Sequence, residues 1–265
     1  MHYTEKDHTF AICAYKESQY LEECIQSVKK QTVLGNVIMV TSTPNEYIQK
    51  LVNKYNIPLF IREGKSNIAD DWNFAYANAN TELVTITHQD DVYCEKYLET
   101  VLYMLQKAEK PLISFSDYGE IREAQLVTEN KLLRIKKMML FPLRYRIFWS
   151  SRFVRRRILS LGSAICCPSV TLVKSNLPKV IFEKGYRSNI DWQAWEKISS
   201  LKGSFVYSNK VLMLHRIHQE SETTKIIADS NRTKEDYDMY RKFWPKWIAD
   251  ILIKFYSKSQ DSNTI

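Results

Sequence analysis

The chain has 265 residues, 45% of them hydrophobic and 26% charged, with only 6 Gly and 7 Pro. These figures exclude a disordered or low-complexity chain and suit one large globular domain, or one domain with an appendage. A formal net charge of +8 points to a polyanionic partner, either a nucleic acid or an anionic membrane surface.

The pattern of elements follows the chain. TFAICAY (9–15) reads as a short buried strand, followed by a helix from about Gln19 to Gln31 with Leu21, Cys24, Ile25 and Val28 on one face. NVIMVTS (36–42) is a second strand, and STPNEYIQKLVNKY a capped turn and helix with Pro44 near its first position. IPLFIR (57–62) is a third strand, Ile68 to Ala79 a helix, TELVTITH (81–88) a fourth strand, Glu95 to Lys107 a helix and PLISFSDY (111–118) a fifth strand. Strands alternating with helices of about 10–13 residues predict an α/β fold of βαβ units around a mainly parallel sheet. After Tyr118 the rhythm fails. A basic, aromatic-rich segment (131–157) precedes a strand region in GSAICCPSVTLVK, a helix over about Asp191–Ser200, the late strands SFVYS and KVLMLHRIH, and a Trp- and Lys-rich tail helix from about Asn231 to Lys258.

Five cysteines (Cys13, Cys24, Cys94, Cys166 and Cys167) form an odd set without Cys-x-x-Cys spacing, which argues against a disulfide framework or zinc site and for a reducing compartment. The opening MHYTEKDHTF has no apolar signal region, and no run approaches the ~18 apolar residues of a membrane span. The expectation is a cytoplasmic protein, peripheral to the inner face of a membrane if it touches one.

The fourth strand runs into His88, Gln89, Asp90 and Asp91. In a parallel sheet the carboxyl ends of the strands form the ligand-binding edge, and strand alternation puts His88 and Asp90 on one face with Asp91 on the other. Adjacent carboxylates there suit a hard divalent ion, Mn2+ or Mg2+, completed by substrate phosphates. Taken alone, the pair also reads as a solvated turn. The glycine-rich phosphate loops GxGxxG and GxxxxGK[ST] are absent, as are HExxH and GxSxG. Cys166–Cys167 reads as a packed pair.

Over most of residues 8–224, and most closely up to about residue 118, the chain resembles the inverting glycosyltransferases of family 2. The likeness is carried by FAICAYKESQYLEECIQSVKKQT, SNIADDWNFAYANANTELVTITHQDDVY, SNIDWQAWEKISSLKG and LMLHRIHQESETT. It implies a GT-A type, Rossmann-like nucleotide-sugar-binding fold, extended here by a basic helical insertion and a C-terminal helix. The implied division is a nucleotide-sugar half (1–118), an acceptor half (119–225) and a helical tail (226–265). Tyr15 and Glu17 would face the base, and Asn73 matches the family's Ala-Arg-Asn triplet beside the diphosphate.

Asp90, then Asp91, would hold the metal, with His218 completing its shell or touching the diphosphate and Arg216 offsetting charge. Asp191 falls on the catalytic base, although an Asp there is equally an ordinary helix N-cap; Trp195 matches a helix aromatic and His215 reads as structural. The departures are Thr41, Ser42 and Thr43 where the family has an acid after its second strand, His88 for the first Asp of Asp-x-Asp-Asp, and Ile190 for a Glu. His88 is left as ligand, ribose contact or packing residue. The implied donor is a nucleotide-sugar, UDP-linked by preference, and the acceptor a saccharide or lipid-linked saccharide in cell-surface polysaccharide or glycoconjugate synthesis. The alternative is a non-catalytic membrane- or nucleic-acid-associated protein on a degenerate scaffold.

The segment 131–157 holds ten Lys and Arg and no acid, more positive charge than the whole chain's net. Three readings stay open for it: a membrane or lipid-acceptor surface, a hairpin packed by its aromatics with its cations solvated, and, least of the three, a nucleic-acid site.

Overall fold

In the computed structural model, which describes residues 2–218 and 231–260, the first half is built as the sequence predicts. Strand β1 (His8–Ala14) is followed by α1 (Leu21–Lys29), β2 (Asn36–Thr41), α2 (Glu46–Tyr55), β3 (Leu59–Ile61), α3 (Ile68–Asn78) and β4 (Leu83–His88). The apolar face of α1, formed by Leu21, Cys24, Ile25 and Val28, is fully buried. Asn45 caps α2 by accepting the Ile48 N–H (2.9 Å), which saturates one of the donors a helix start leaves open. Pro44 therefore precedes the cap instead of opening the helix.

A two-residue strand, β5 (Val92–Tyr93), leads to α4 (Tyr97–Leu105) and the long β6 (Pro111–Arg122), which turns back through β7 (Gln125–Val127). Helices α5 (Lys131–Leu140) and α6 (Arg152–Leu159) flank short 3-10 turns at Phe141–Arg144 and Arg146–Phe148. Then come β8 (Thr171–Val173), α7 (Ile190–Ser199), β9 (Ser204–Ile217), α8 (Asn231–Arg241) and α9 (Lys246–Gln260).

One sheet takes all the strands, in the order β3-β2-β1-β4-β8-β6-β9-β5, with β7 on β6. The first four are parallel, as are β6 and β9, whereas β8 and β5 run against their neighbours. Cys13 pairs with both Val40 and His88, so β1, β2 and β4 release their loops at one level. That level is the binding edge. The two expected late strands are a single β9 of 14 residues, kept in register with β6 by irregularities around Asp117. The expected tail helix is two helices divided at Pro245, which lacks the N–H an unbroken helix needs.

The basic segment is partly structural. Arg155 is buried and donates to the carbonyls of Ser199, which ends α7 and leaves its acceptor open, and of Leu201 and Gly203 just past it. Gly203 has φ +149°, and a Cβ there would lie 2.6 Å from the Lys110 carbonyl, so the chain can reach this guanidinium only with glycine. Arg156 pairs with Glu196 of α7 (2.8 Å), and Arg157 lies over the Trp244 ring (4.3 Å). Helix α6 thus clamps α7 and the tail. Among the described residues no helix is long and apolar enough to cross a membrane.

Arg155→Met strips one buried and two half-buried carbonyls of their donor, and its expected cost is about 3 kcal/mol. Chemical denaturation measures this, with Lys131→Met expected to fall within about 0.5 kcal/mol of the parent.

Candidate functional site

Beyond His88 the chain makes a tight turn, with the Asp91 N–H donating to the His88 carbonyl (3.3 Å), and returns as β5. The turn ends the strand alternation. Asp91 is therefore folded back toward His88, Oδ2 to Nδ1 3.6 Å, instead of pointing to the opposite face as the strand pattern predicts. Strand β5 pairs Val92 with Leu214 and Tyr93 with Met213, which sets Asp90 and Asp91 opposite the end of β9.

That pairing builds the site. Asp91 is fully buried, and its Oδ1 accepts from the Arg216 N–H (3.0 Å) and from His215 Nδ1 (2.9 Å). Burial works against charge on His215, but the Asp91 charge and hydrogen bond outweigh it and raise its pKa to about 9. His215 is thus more than the structural residue its sequence context suggests. Asp90 Oδ2 lies 3.1 Å from His218 Nε2, and its carbonyl accepts from Arg216 Nε (3.0 Å). Although desolvation of the half-buried Asp90 works against its charge, the His218 hydrogen bond and the neighbouring histidines hold its carboxyl below the usual range. The Arg216 guanidinium also reaches Glu23 (2.5 Å) and lies over the Tyr20 ring (4.4 Å). Arg216 and His218 thus both reach Asp90, His218 from just past the end of β9.

His88 stacks on Trp72, with centroids 4.9 Å apart and planes at 17°. Burial pushes its pKa down against the pull of Asp91 and Asp90, leaving the neutral imidazole that a metal takes as ligand. At 3.6 Å its contact with Asp91 is too long for a hydrogen bond.

Asp91 Oδ2 and His88 Nε2 are both buried without a hydrogen-bond partner. Donor atoms of His88, Asp90 and Asp91 lie within 4.8 Å of one another. Orphaned buried groups are costly, and two carboxylates with an imidazole form a donor set suited to a divalent ion such as Mn2+. These residues fit a metal.

The neighbouring loops carry the other expected residues. The Gln89 side chain clips onto Tyr15, accepting its N–H (2.9 Å) and donating to its carbonyl (3.0 Å), which leaves the Tyr15 ring and Glu17 exposed. Thr41 is buried and accepts the Thr43 N–H (3.0 Å), so its hydroxyl shapes the loop. Ser42 donates to Asp71 (3.0 Å), which also takes Ser66 Oγ (2.9 Å) and Arg62 Nε (2.6 Å). Asn73 donates to the Phe182 carbonyl (2.6 Å) and accepts the N–H groups of Ile181 and Phe182 (3.0 and 3.1 Å). Its amide anchors that loop, and the loop in turn brings Phe182 edge-on to Trp72.

Asp191 sits in the first turn of α7, two residues past the cap position at Asn189, so it is not itself the N-cap. Burial raises its pKa to about 6, opposed by the Trp192 N–H (2.7 Å) and the charges of Lys136 and Arg232. Burial pushes the Cys166 thiol up, and the charges of Asp91 and Asp191 both add to the shift. The loop entering α7 is held by α8, where Glu235 accepts the N–H groups of Arg187 (2.7 Å) and Ser188 (2.8 Å), and Asp236 accepts from Asn189 Nδ2 (2.7 Å). Ile190, standing where an acid was expected, is a core residue. The serine-rich stretch 219–224 lies outside the described residues.

Sequence reasoning missed Gln89, Trp72, Asp71 and the contact of His215 with Asp91. Gln89 lies inside the singled-out His-Gln-Asp-Asp run, whereas Trp72, Asp71 and His215 meet their partners only in the fold.

Residues 9–174 match the model of the family described as glycosyl transferase family 2. No curated protein matches the chain. Among solved structures, S. aureus TarS in complex with UDP-GlcNAc is 14% identical with a TM-score of 0.63, covering 97% of this chain and 73% of that one. Mannosyltransferase PcManGT from Pyrobaculum calidifontis, in complex with GDP-Man and Mn2+, is 13% identical at TM-score 0.62, covering 97% and 70%. Glucosyl-3-phosphoglycerate synthase from Mycobacterium tuberculosis, in complex with phosphoglyceric acid, is 12% identical at 0.53, covering 80% and 73%. At these identities the likeness is one of fold.

His215→Ala removes the side chain that fixes Asp91, and Mn2+ affinity is expected to fall about 10- to 100-fold. Calorimetric titration of Mn2+ measures it, with Lys210→Ala expected to match the parent.

Proposed function

The chain belongs to glycosyl transferase family 2, and from that premise we propose that it is a metal-dependent, inverting transferase using a nucleotide-sugar, UDP-linked by preference. The observation that carries the reading is the clustering of His88, Asp90 and Asp91 donor atoms within 4.8 Å at the binding edge of the sheet, with Asp91 Oδ2 buried and lacking a hydrogen-bond partner. TarS and PcManGT, solved with UDP-GlcNAc and with GDP-Man and Mn2+, support a sugar nucleotide at this edge. His88, Asp90 and Asp91 hold Mn2+ or Mg2+, with His218 adjoining through Asp90. When bound, the ion offsets the diphosphate's negative charge.

Arg216 adds a fixed positive charge beside Asp90. Tyr15 and Glu17, exposed at the end of β1, address the base; Ser42, oriented by Asp71, lies on the same edge. Asp191 accepts the proton of the acceptor hydroxyl as its oxygen bonds to the anomeric carbon. The bond from that carbon to the diphosphate breaks on the opposite face, and its electron pair leaves with the nucleoside diphosphate. Residues 1–118 carry the donor and 119–225 the acceptor, a saccharide or lipid-linked saccharide of the cell surface.

The test is calorimetric titration of UDP with Mn2+ and again with chelator. Metal-dependent binding is expected, lost in Asp90→Ala and kept in Asp191→Asn, whose transfer rate falls about 10²–10⁴-fold. Asp191 works only when ionised, so kcat/KM is expected to rise with pH through about 6 and to fall away below it. Lys136 and Arg232 are the charges that bear on that carboxyl, with the Cys166 and Cys167 thiols beside it. Failure of UDP, dTDP and GDP alike to bind contradicts the reading.

A further inference from the structure

The connection between α5 and α6 exposes large apolar side chains that the core does not use. Met138, Phe141, Tyr145, Ile147, Phe148 and Phe153 are all exposed, Ile147 at 80% and Phe153 at 72%. Single exposed apolar residues are ordinary, but six within residues 138–153, four in the connection and one on each flanking helix, form a patch. Phe141 meets Tyr145 edge-on (5.8 Å), the 141–144 turn packs on α6, and Arg157 spans the Phe153 and Trp244 rings. Trp244 docks on the end of α6 through the Ser160 carbonyl (2.8 Å). From there α9 carries two more exposed apolar residues, Trp247 and Ile251, one turn apart.

The cations of this segment divide into two groups. Arg155 is buried and Arg156 is paired with α7, as described above. Arg146 and Arg152 stand exposed among the apolar residues, and no Asp or Glu occurs between Lys131 and Arg157.

We propose that the surface formed by residues 138–153 docks on an anionic lipid bilayer, its apolar side chains entering the headgroup boundary and Arg146 and Arg152 meeting lipid phosphates. A second copy fits poorly, because a symmetric contact would bring the exposed Arg146 and Arg152 of both copies to one interface. A nucleic acid gives Met138 and Ile147 no role, since bases stack on aromatic rings and not on aliphatic side chains. The opposite side of α5 faces the chemistry: Lys136 donates to the Tyr118 hydroxyl (2.9 Å), and its charge bears on Asp191.

Sedimentation with vesicles tests the proposal, in chelator and without nucleotide, so that its outcome is independent of the transfer reading. Binding is expected to vesicles of phosphatidylcholine with added phosphatidylglycerol, to weaken with salt, and to be absent with phosphatidylcholine alone. Ile147→Ser/Phe153→Ser is expected to lower the partition coefficient about tenfold, and Arg146→Gln/Arg152→Gln about thirtyfold. All four side chains are exposed, so an unchanged melting temperature checks that both variants fold. No binding to anionic vesicles, or equal binding by parent and both variants, overturns the proposal. So does a dimer in solution that Ile147→Ser/Phe153→Ser dissolves, or preferential binding of a single-stranded oligonucleotide that this variant leaves unchanged.

Discussion

A carboxylate removed from water has to be paired or it destabilises the fold that buries it. Asp91 is such a group, and the remainder of the site follows from how it is satisfied. One oxygen is held by the Arg216 N–H and the His215 ring; the other is left facing His88 and Asp90. Pinning one oxygen fixes the direction of the second, and so presents a preset ligand atom instead of a mobile one. The fixing groups come from β9, held in place because β5 pairs with β9 directly after the turn. A two-residue strand thus converts a chain reversal into a binding site.

The second half of the protein does comparable work for Asp191. Helix α7 is anchored at its start by Glu235 and Asp236 and at its end by Arg155. Trp192 and Trp195 are buried beneath it. A carboxyl on so constrained a helix is dried by its surroundings, which raises its pKa toward the range useful to a general base at neutral pH. The insertion that dominates the protein's charge is therefore divided in purpose: α6 braces this helix, while the preceding turns bury Leu143 and Trp149 and leave Phe141, Tyr145, Ile147 and Phe148 outward.

Much of the first half was legible because period-two and helical patterns report burial directly, and βαβ order fixes which strand ends share an edge. His88, Asp90 and Asp91 were legible as a group for that reason. Their mutual orientation was not, because a tight turn after His88 replaces strand alternation. The His215–Asp91 contact joins residues 124 positions apart and leaves no local trace. Arg155 shows the same limit from the other side: in a run of arginines nothing distinguishes the one that caps a helix from those that face solvent. Asn73 was read as a ligand contact, and in the structure its amide is taken up by the 181–182 loop. The acid missing after β2 has a neighbour in Asp71, which α3 brings against Ser42 from two residues before Asn73.

The central claim is that the unpaired oxygen of Asp91 is a metal ligand. Crystals soaked with Mn2+ and UDP test it through the anomalous signal of manganese. The account predicts one strong peak at about 2.1–2.2 Å from Asp91 Oδ2, with Asp90 and the His88 ring within bonding distance and the diphosphate on its open side. A peak elsewhere on the protein, or UDP bound at this edge with Asp91 Oδ2 satisfied by a hydrogen bond and no metal, would contradict it.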